Sequence, residues 1–155
     1  AEVRIDAGKC YLIEIAARSI GGLCGRALSF GLLGESLEVL ILRSALDIGS
    51  PDSSPARPAT GVLMLPIPAT GSLTGVAGID EAQRVPGIED VTITIAAGRR
   101  VEMLPEGDRY LGFVFAGGAD PASVEHSLRM AGNELAITID GEEVRPPTSL
   151  GTPNR

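Results

Sequence analysis

The first fifteen residues constrain this chain most, because they alternate in a way that only paired strands satisfy. Glu2-Val3-Arg4-Ile5-Asp6 and Cys10-Tyr11-Leu12-Ile13-Glu14-Ile15 flank Ala7-Gly8-Lys9, a short glycine-containing break. Side chains on a strand point alternately to its two faces, so this pattern predicts a β-hairpin. With Ala7-Gly8-Lys9 as the loop, Asp6 pairs with Cys10, Arg4 with Leu12 and Glu2 with Glu14. Val3, Ile5, Tyr11, Ile13 and Ile15 then share the apolar face, and such a face sets strand register. A two-residue Ala7-Gly8 loop would move the pairing by one and send the two acids to opposite faces.

Facing carboxylates repel, so a Glu2–Glu14 pair calls for a cation. Mg²⁺ suits two carboxylates, since it keeps several waters and takes substrate phosphates as its remaining ligands. On pattern alone the plainer alternative is two solvated acids on the wet side of an antiparallel sheet. Downstream, Arg18-Ser19-Ile20-Gly21-Gly22 leads into a segment with helical character from Leu23 to Phe30. A helix start exposes unpaired N–H groups, so Ser19, Gly21 and Gly22 are candidates to bind a carboxylate or phosphate, or they simply turn the chain. Arg18 reads either as a surface arginine or as a planar cation at the mouth of the metal site.

The remaining pattern is α+β. Ser36 is a helix N-cap, and Leu37, Leu40, Ile41, Ser44 and Ala45 recur at helical spacing up to Asp47. Residues 49–58, rich in Pro and Ser, read as a linker between a lobe at 1–48 and a second at 59–141. Strands are expected at Gly61–Pro66, Ser72–Val76, Val91–Ala96, Tyr110–Ala116 and Leu135–Ile139. Tyr110–Ala116 is apolar without alternation, as a strand buried on both faces would be. Ile79–Arg84 makes one or two helical turns, and Asp120-Pro121 opens a helix with Val124, Leu128 and Ala131 on one face. The second lobe is thus an antiparallel sheet with helices on one side, and residues 142–155 are expected to fray. Pro66 to Gly75 is either a loop over a site or a sheet corner.

Composition narrows the function classes. The chain has 155 residues, 44% of them hydrophobic and 21% charged, enough for one domain or two small lobes. Its net charge of −7, with Arg99-Arg100 as the one basic pair, argues against nucleic acid as a partner. No apolar run approaches the length of a bilayer span, so no membrane partner is expected. Two cysteines, Cys10 and Cys24, make no disulfide framework and fit a reducing cytoplasm. Cys24 has no neighbouring histidine to activate it, and the single histidine, His126, reads as a solvated helix residue.

The run Glu2 to Ile5, followed by Tyr11-Leu12-Ile13-Glu14-Ile15-Ala16-Ala17-Arg18, resembles the end of an ATP-grasp catalytic domain. There a strand acid is followed about a dozen residues later by Glu-x-Asn-x-Arg. Gly61 to Pro66, Thr70 to Val76 and Leu104 to Phe113 resemble the C-terminal domain of ligases of the L-amino-acid-ligase type, which are similar in layout to biotin carboxylase. The resemblance implies the C-terminal part of a carboxylate–amine ligase that uses ATP and Mg²⁺ and passes through an acyl phosphate. It implies Glu2 and Glu14 as ligands of Mg²⁺ bound to ATP, and Arg18 as a catalytic clamp on phosphate or the acyl phosphate. The Asn position is Ala16, which leaves the second metal one ligand short. A non-catalytic or regulatory module and a biotin-carboxylase-like carboxylase are the alternatives. The chain does not start with Met, and Lys9 is its only lysine, so it reads as a fragment lacking most of the nucleotide site. Its expected partners are the N-terminal part of the same polypeptide, small carboxylate and amine substrates, and a second copy of the chain.

Overall fold

The computed structural model describes residues 2–16, 23–27, 35–49 and 57–145. The hairpin expected at the start is present, as β1 (Glu2–Asp6) and β2 (Lys9–Glu14), joined antiparallel. Its loop is the shorter one: Asp6 pairs with Lys9, and Ala7 and Gly8 turn the chain at φ of 47° and 75°. Two consecutive positive φ values match the twist of the flanking strands, which is why two-residue turns dominate hairpins. The pairings then run Ile5 with Cys10, Arg4 with Tyr11 and Val3 with Leu12, before a bulge brings Glu2 opposite Glu14. Tyr11 therefore joins the polar face with Arg4, while Cys10 and Leu12 join Val3 and Ile5. Ile13 is the extra residue of the bulge, skipped between Leu12 and Glu14.

The first helix, α1 (Leu37–Ala45), starts where its cap chemistry predicts. The Ser36 hydroxyl accepts a hydrogen bond from the Val39 N–H at 3.3 Å, and Glu38 and Arg43 lie at the ends that favour their charges. Arg43 also reaches back to the Glu35 carboxylate at 3.0 Å. The expected helix from Leu23 shows as a turn through Leu23–Gly25 and the start of a helical turn at Arg26 and Ala27, with its remainder outside the described residues.

Beyond residue 57 the strands and helices are β3 (Ala59–Leu65), β4 (Gly71–Ala77), α2 (Ile79–Arg84), β5 (Ile88–Ile93), β6 (Arg100–Val101), β7 (Gly112–Gly118), α3 (Pro121–Glu134), β8 (Ala136–Ile139) and β9 (Glu142–Val144). They make two antiparallel sheets rather than one: β3-β7-β5 and β6-β4-β8-β9. Pro66-Ile67-Pro68 is the corner between them. Leu65 still accepts a hydrogen bond from the Leu111 N–H, and Ile67 is already buried in the core. The strand expected at Val91 begins three residues earlier, at Ile88, because the Val85-Pro86-Gly87 turn delivers the chain to β7 at once. It ends at Ile93, opposite Gly112 where β7 begins.

Arg99-Arg100, expected in a loop, borders an edge strand instead. Arg99 accepts from the Leu73 N–H at 2.9 Å and Arg100 pairs with Ser72. Glu142–Val144, expected to fray, pairs with Ile137–Ile139 as β9. The central strand β7 is buried on both faces, as its unbroken apolar run predicts.

The core lies between α2, α3 and both sheets. Val124, Leu128 and Ala131 of α3 are buried with Leu65, Val114 and Ala116 from one sheet and Leu73, Ile137 and Ile139 from the other. A methyl group on Gly61 would meet Val124 and Leu128, so α3 covers the β3 face that carries Ala59, Gly61, Leu63 and Leu65. Asp120 caps α3, accepting from the Ser123 N–H at 2.7 Å, while the Ser123 hydroxyl accepts from the Asp120 N–H in return.

Candidate functional site

Two places in the molecule bear on the expected chemistry, the acid pair of the hairpin and the segment that follows it. Glu2 and Glu14 are cross-strand partners, so their carboxylates project from one face, and both are exposed. Asp6 and Lys9 pair next to the turn on that same face, with Arg4 and Tyr11 between. The expected acid pair is therefore brought together, although the bulge at Ile13 does it and not a three-residue loop. Among the described residues no group of three or more His, Cys, Asp or Glu side chains converges on one point. Two facing carboxylates alone suit a cation that completes its shell with water and phosphate, which is how Mg²⁺ is held. Arg18, Ser19, Gly21 and Gly22 lie outside the described residues.

Leu23–Ala27 rests on the β3-β7-β5 sheet. Phe113 and Phe115 point away from α3, and their rings stack with centroids 6.3 Å apart. The Arg26 guanidinium lies 5.0 Å from the centroid of Phe115, a cation over an aromatic face. From the same position it makes an ion pair with Asp90 at 3.0 Å and donates to the Thr92 hydroxyl at 3.3 Å. Thr92 in turn donates to Asp90 at 2.8 Å. Cys24 Sγ sits 3.6 Å from Met64 Sδ, against β3. Its surroundings are a thioether and a sheet, which suit packing rather than a nucleophile. His126 is exposed on α3, as its position in the helix predicts.

The Arg26 cluster had no signal in the sequence reading. A lone arginine after a glycine carries none, and Asp90 and Thr92 stand more than sixty positions away. Next to Asp90 on the same strand, Glu89 is bridged by Arg57 at 2.6 Å, and Arg57 also donates to the Gly117 carbonyl at 3.2 Å. That contact ties the start of β3 to β5 and β7 just where the expected linker ends.

Residues 63–140, half of the chain, match the family described as L-amino acid ligase C-terminal domain 2. The chain belongs to that family. The match runs from the last residues of β3 to just past β8, and so takes in all of α2 and α3 and every strand except the start of β3 and all of β9. Beyond it, an L-amino acid ligase from Bacillus licheniformis, solved by crystallography, has a similar fold with a TM-score of 0.70 at 24% identity. That likeness takes in 89% of this chain and 35% of the Bacillus one, so this chain spans about a third of that protein's length. No curated protein matches the sequence. The α+β expectation is met: a hairpin and a helix precede antiparallel sheets and helices that belong to the L-amino acid ligase C-terminal family, and the Bacillus protein shares the fold over most of the chain. Among the described residues no helix is long and apolar enough to cross a membrane.

Proposed function

We propose that this chain is the C-terminal part of an ATP-dependent carboxylate–amine ligase acting on amino acids, and that its hairpin supplies two metal ligands. The observation that carries the proposal is the pairing of Glu2 with Glu14 across a bulge, upstream of a domain of the L-amino acid ligase family. In the proposed reaction a substrate carboxylate oxygen attacks the γ-phosphorus of ATP. A P–O bond forms, ADP leaves, and an acyl phosphate results. The amine then attacks the acyl carbon, the C–O bond to phosphate breaks, and the amine nitrogen gives up a proton as the amide forms.

Phosphoryl transfer depends chiefly on positioning and charge neutralisation, which is what the residues here can provide. Mg²⁺ held by Glu2 and Glu14 would offset the charge of the ATP phosphates. Arg18 would clamp the transferred phosphate or the acyl phosphate. Backbone N–H groups at Ser19, Gly21 and Gly22 would bind a substrate carboxylate. The lysines, phosphate loop and adenine contacts that ATP also needs would come from an N-terminal part of the same polypeptide.

The test is phosphate release by a polypeptide that joins this chain to such a part, assayed with Mg²⁺ and pairs of amino acids. Release that depends on an amino acid, and that falls by about 10²-fold or more in Glu14→Gln, is the expected result. Turnover unchanged in Glu14→Gln would remove the hairpin from the site. Ala16, where ATP-grasp ligases carry an asparagine, favours a second reading as a non-catalytic module that kept the fold. Mg²⁺-dependent turnover with Ala16 in place would exclude it, whereas metal binding gained only in Ala16→Asn would support it.

A further inference from the structure

We infer that Arg4 is a nucleotide-binding residue, whose guanidinium takes a phosphate of the nucleotide bound at the Glu2–Glu14 pair. The inference rests on the ligase reading for the metal and the nucleotide, and on the register of the hairpin for the place of Arg4. Arg4 stands two residues after Glu2 on β1, so both side chains leave the same face of the hairpin. Two residues of a strand cover about 6.5–7 Å, a distance that a long arginine side chain can bridge. The face is a row of cross-strand pairs: Glu2 with Glu14, then Arg4 with Tyr11, then Asp6 with Lys9. The short turn puts Tyr11 opposite Arg4, where the longer loop would have put Leu12.

Charge pairing sets Arg4 apart. Among the described residues every arginine but Arg4 and Arg99 forms an ion pair with a carboxylate. Arg99 precedes the edge strand β6, away from the acid pair in sequence and in sheet. Arg4 is exposed and forms no ion pair with a described residue, although Glu2 and Asp6 flank it on its own strand. Asp6 has Lys9 opposite it, and Glu2 faces Glu14 as the proposed metal ligands. The guanidinium thus keeps its donors available, with an uncharged phenol across from it. A phosphate meets that planar fork in two parallel hydrogen bonds. The face also needs the charge. Two carboxylates cancel the charge of a Mg²⁺ ion, so a further cation beside them is what makes the face attractive to a polyphosphate.

The sign of the electrostatics separates this role from a plainer one, in which Arg4 only eases the repulsion between the two acids. A cation near a metal site opposes the metal when no phosphate is present. Loss of Arg4 should therefore spare the bare metal and weaken the nucleotide. The experiment is calorimetry on the polypeptide that joins this chain to its N-terminal part, with three probes: a non-hydrolysable ATP analogue with Mg²⁺, adenosine, and Mn²⁺ alone. In Arg4→Gln the analogue should bind about tenfold or more weakly, as the loss of charge-assisted hydrogen bonds predicts. Adenosine should bind as in the parent, which also shows that the variant is folded, and Mn²⁺ should bind no more weakly. Arg4→Lys, which keeps the charge without the fork, should fall between. Undiminished binding of the analogue by Arg4→Gln would overturn the inference. If KM for the amino acid then rose about tenfold instead, the ligand of Arg4 would be a substrate carboxylate. Equal weakening of the analogue and adenosine would also overturn it, since adenosine carries no phosphate. Glu14→Gln distinguishes this failure from that of the ligase reading. Unchanged binding of Mn²⁺ and the analogue in Glu14→Gln would defeat both, whereas weakening in Glu14→Gln with none in Arg4→Gln would defeat the inference alone.

Discussion

Single residues set the chemistry of this chain through their immediate partners. Asp120 shows this without reference to any ligand. The backbone N–H of Ser123, and then its hydroxyl, hydrogen-bond the Asp120 carboxylate and hold its pKa below the usual range. A carboxylate with a lower pKa folded than unfolded stabilises the fold above its unfolded pKa, and that stability is lost as pH falls through the folded value. Thermal unfolding of the parent chain should therefore move to lower temperature as pH drops below about 4, the ordinary aspartate range. In Asp120→Asn, which keeps the cap geometry without the charge, the decline should be shallower. Asp108 contributes in the same direction, lowered first by its hydrogen bond from Arg109 and then by that residue's charge. The difference between parent and variant is therefore the quantity that isolates Asp120. An identical pH slope in the two proteins would show that the cap does not titrate in this way.

Elements add what no residue supplies alone, and α3 is the clearest case. Its capping box, its proline in the first turn and its Val124-Leu128-Ala131 stripe agree on one helix and one buried face. Leu128 packs where Gly61 leaves room in β3, so Leu128→Ala opens a cavity against a glycine that cannot fill it. A loss of about 2–5 kcal/mol is expected, measured by urea unfolding, with no change in slope. A loss near zero would mean that α3 is not seated on this sheet. The hairpin shows the opposite balance. A two-stranded sheet is marginal in water by itself, and β1 and β2 expose Val3, Ile5, Leu12 and Ile13. Its acid pair exists because a short turn and one bulge compensate each other. The turn displaces the pairing by one residue, and the bulge at Ile13 restores it.

For the molecule as a whole, the expectation that matters most is that the isolated 155-residue chain does not turn over ATP. It spans 35% of the length of the Bacillus ligase it resembles in fold and has one lysine, Lys9, placed beside a hairpin turn. Steady phosphate release by the purified chain with Mg²⁺, ATP and amino acids would refute this. Much of the architecture was legible in the residues, since caps, proline positions and side-chain periodicity are local properties. The starts of α1 and α3 and the burial of β7 follow from neighbours within a dozen positions, whereas Glu2 and Glu14 face each other through a two-residue turn and a bulge at Ile13 that the alternation of residues did not indicate. Packing settled what depends on groups far apart along the chain. Two sheets form where one was expected because Pro66-Ile67-Pro68 turns a corner. Arg100-Val101 becomes a strand because Gly71-Ser72 lies beside it, and Glu142–Val144 because Ile137–Ile139 does. The seat of Arg26 on Phe115, Asp90 and Thr92 belongs to this second kind. Neither its aromatic face nor its carboxylate has any neighbour in sequence to announce it, and both meet the guanidinium only once β5 and β7 are paired.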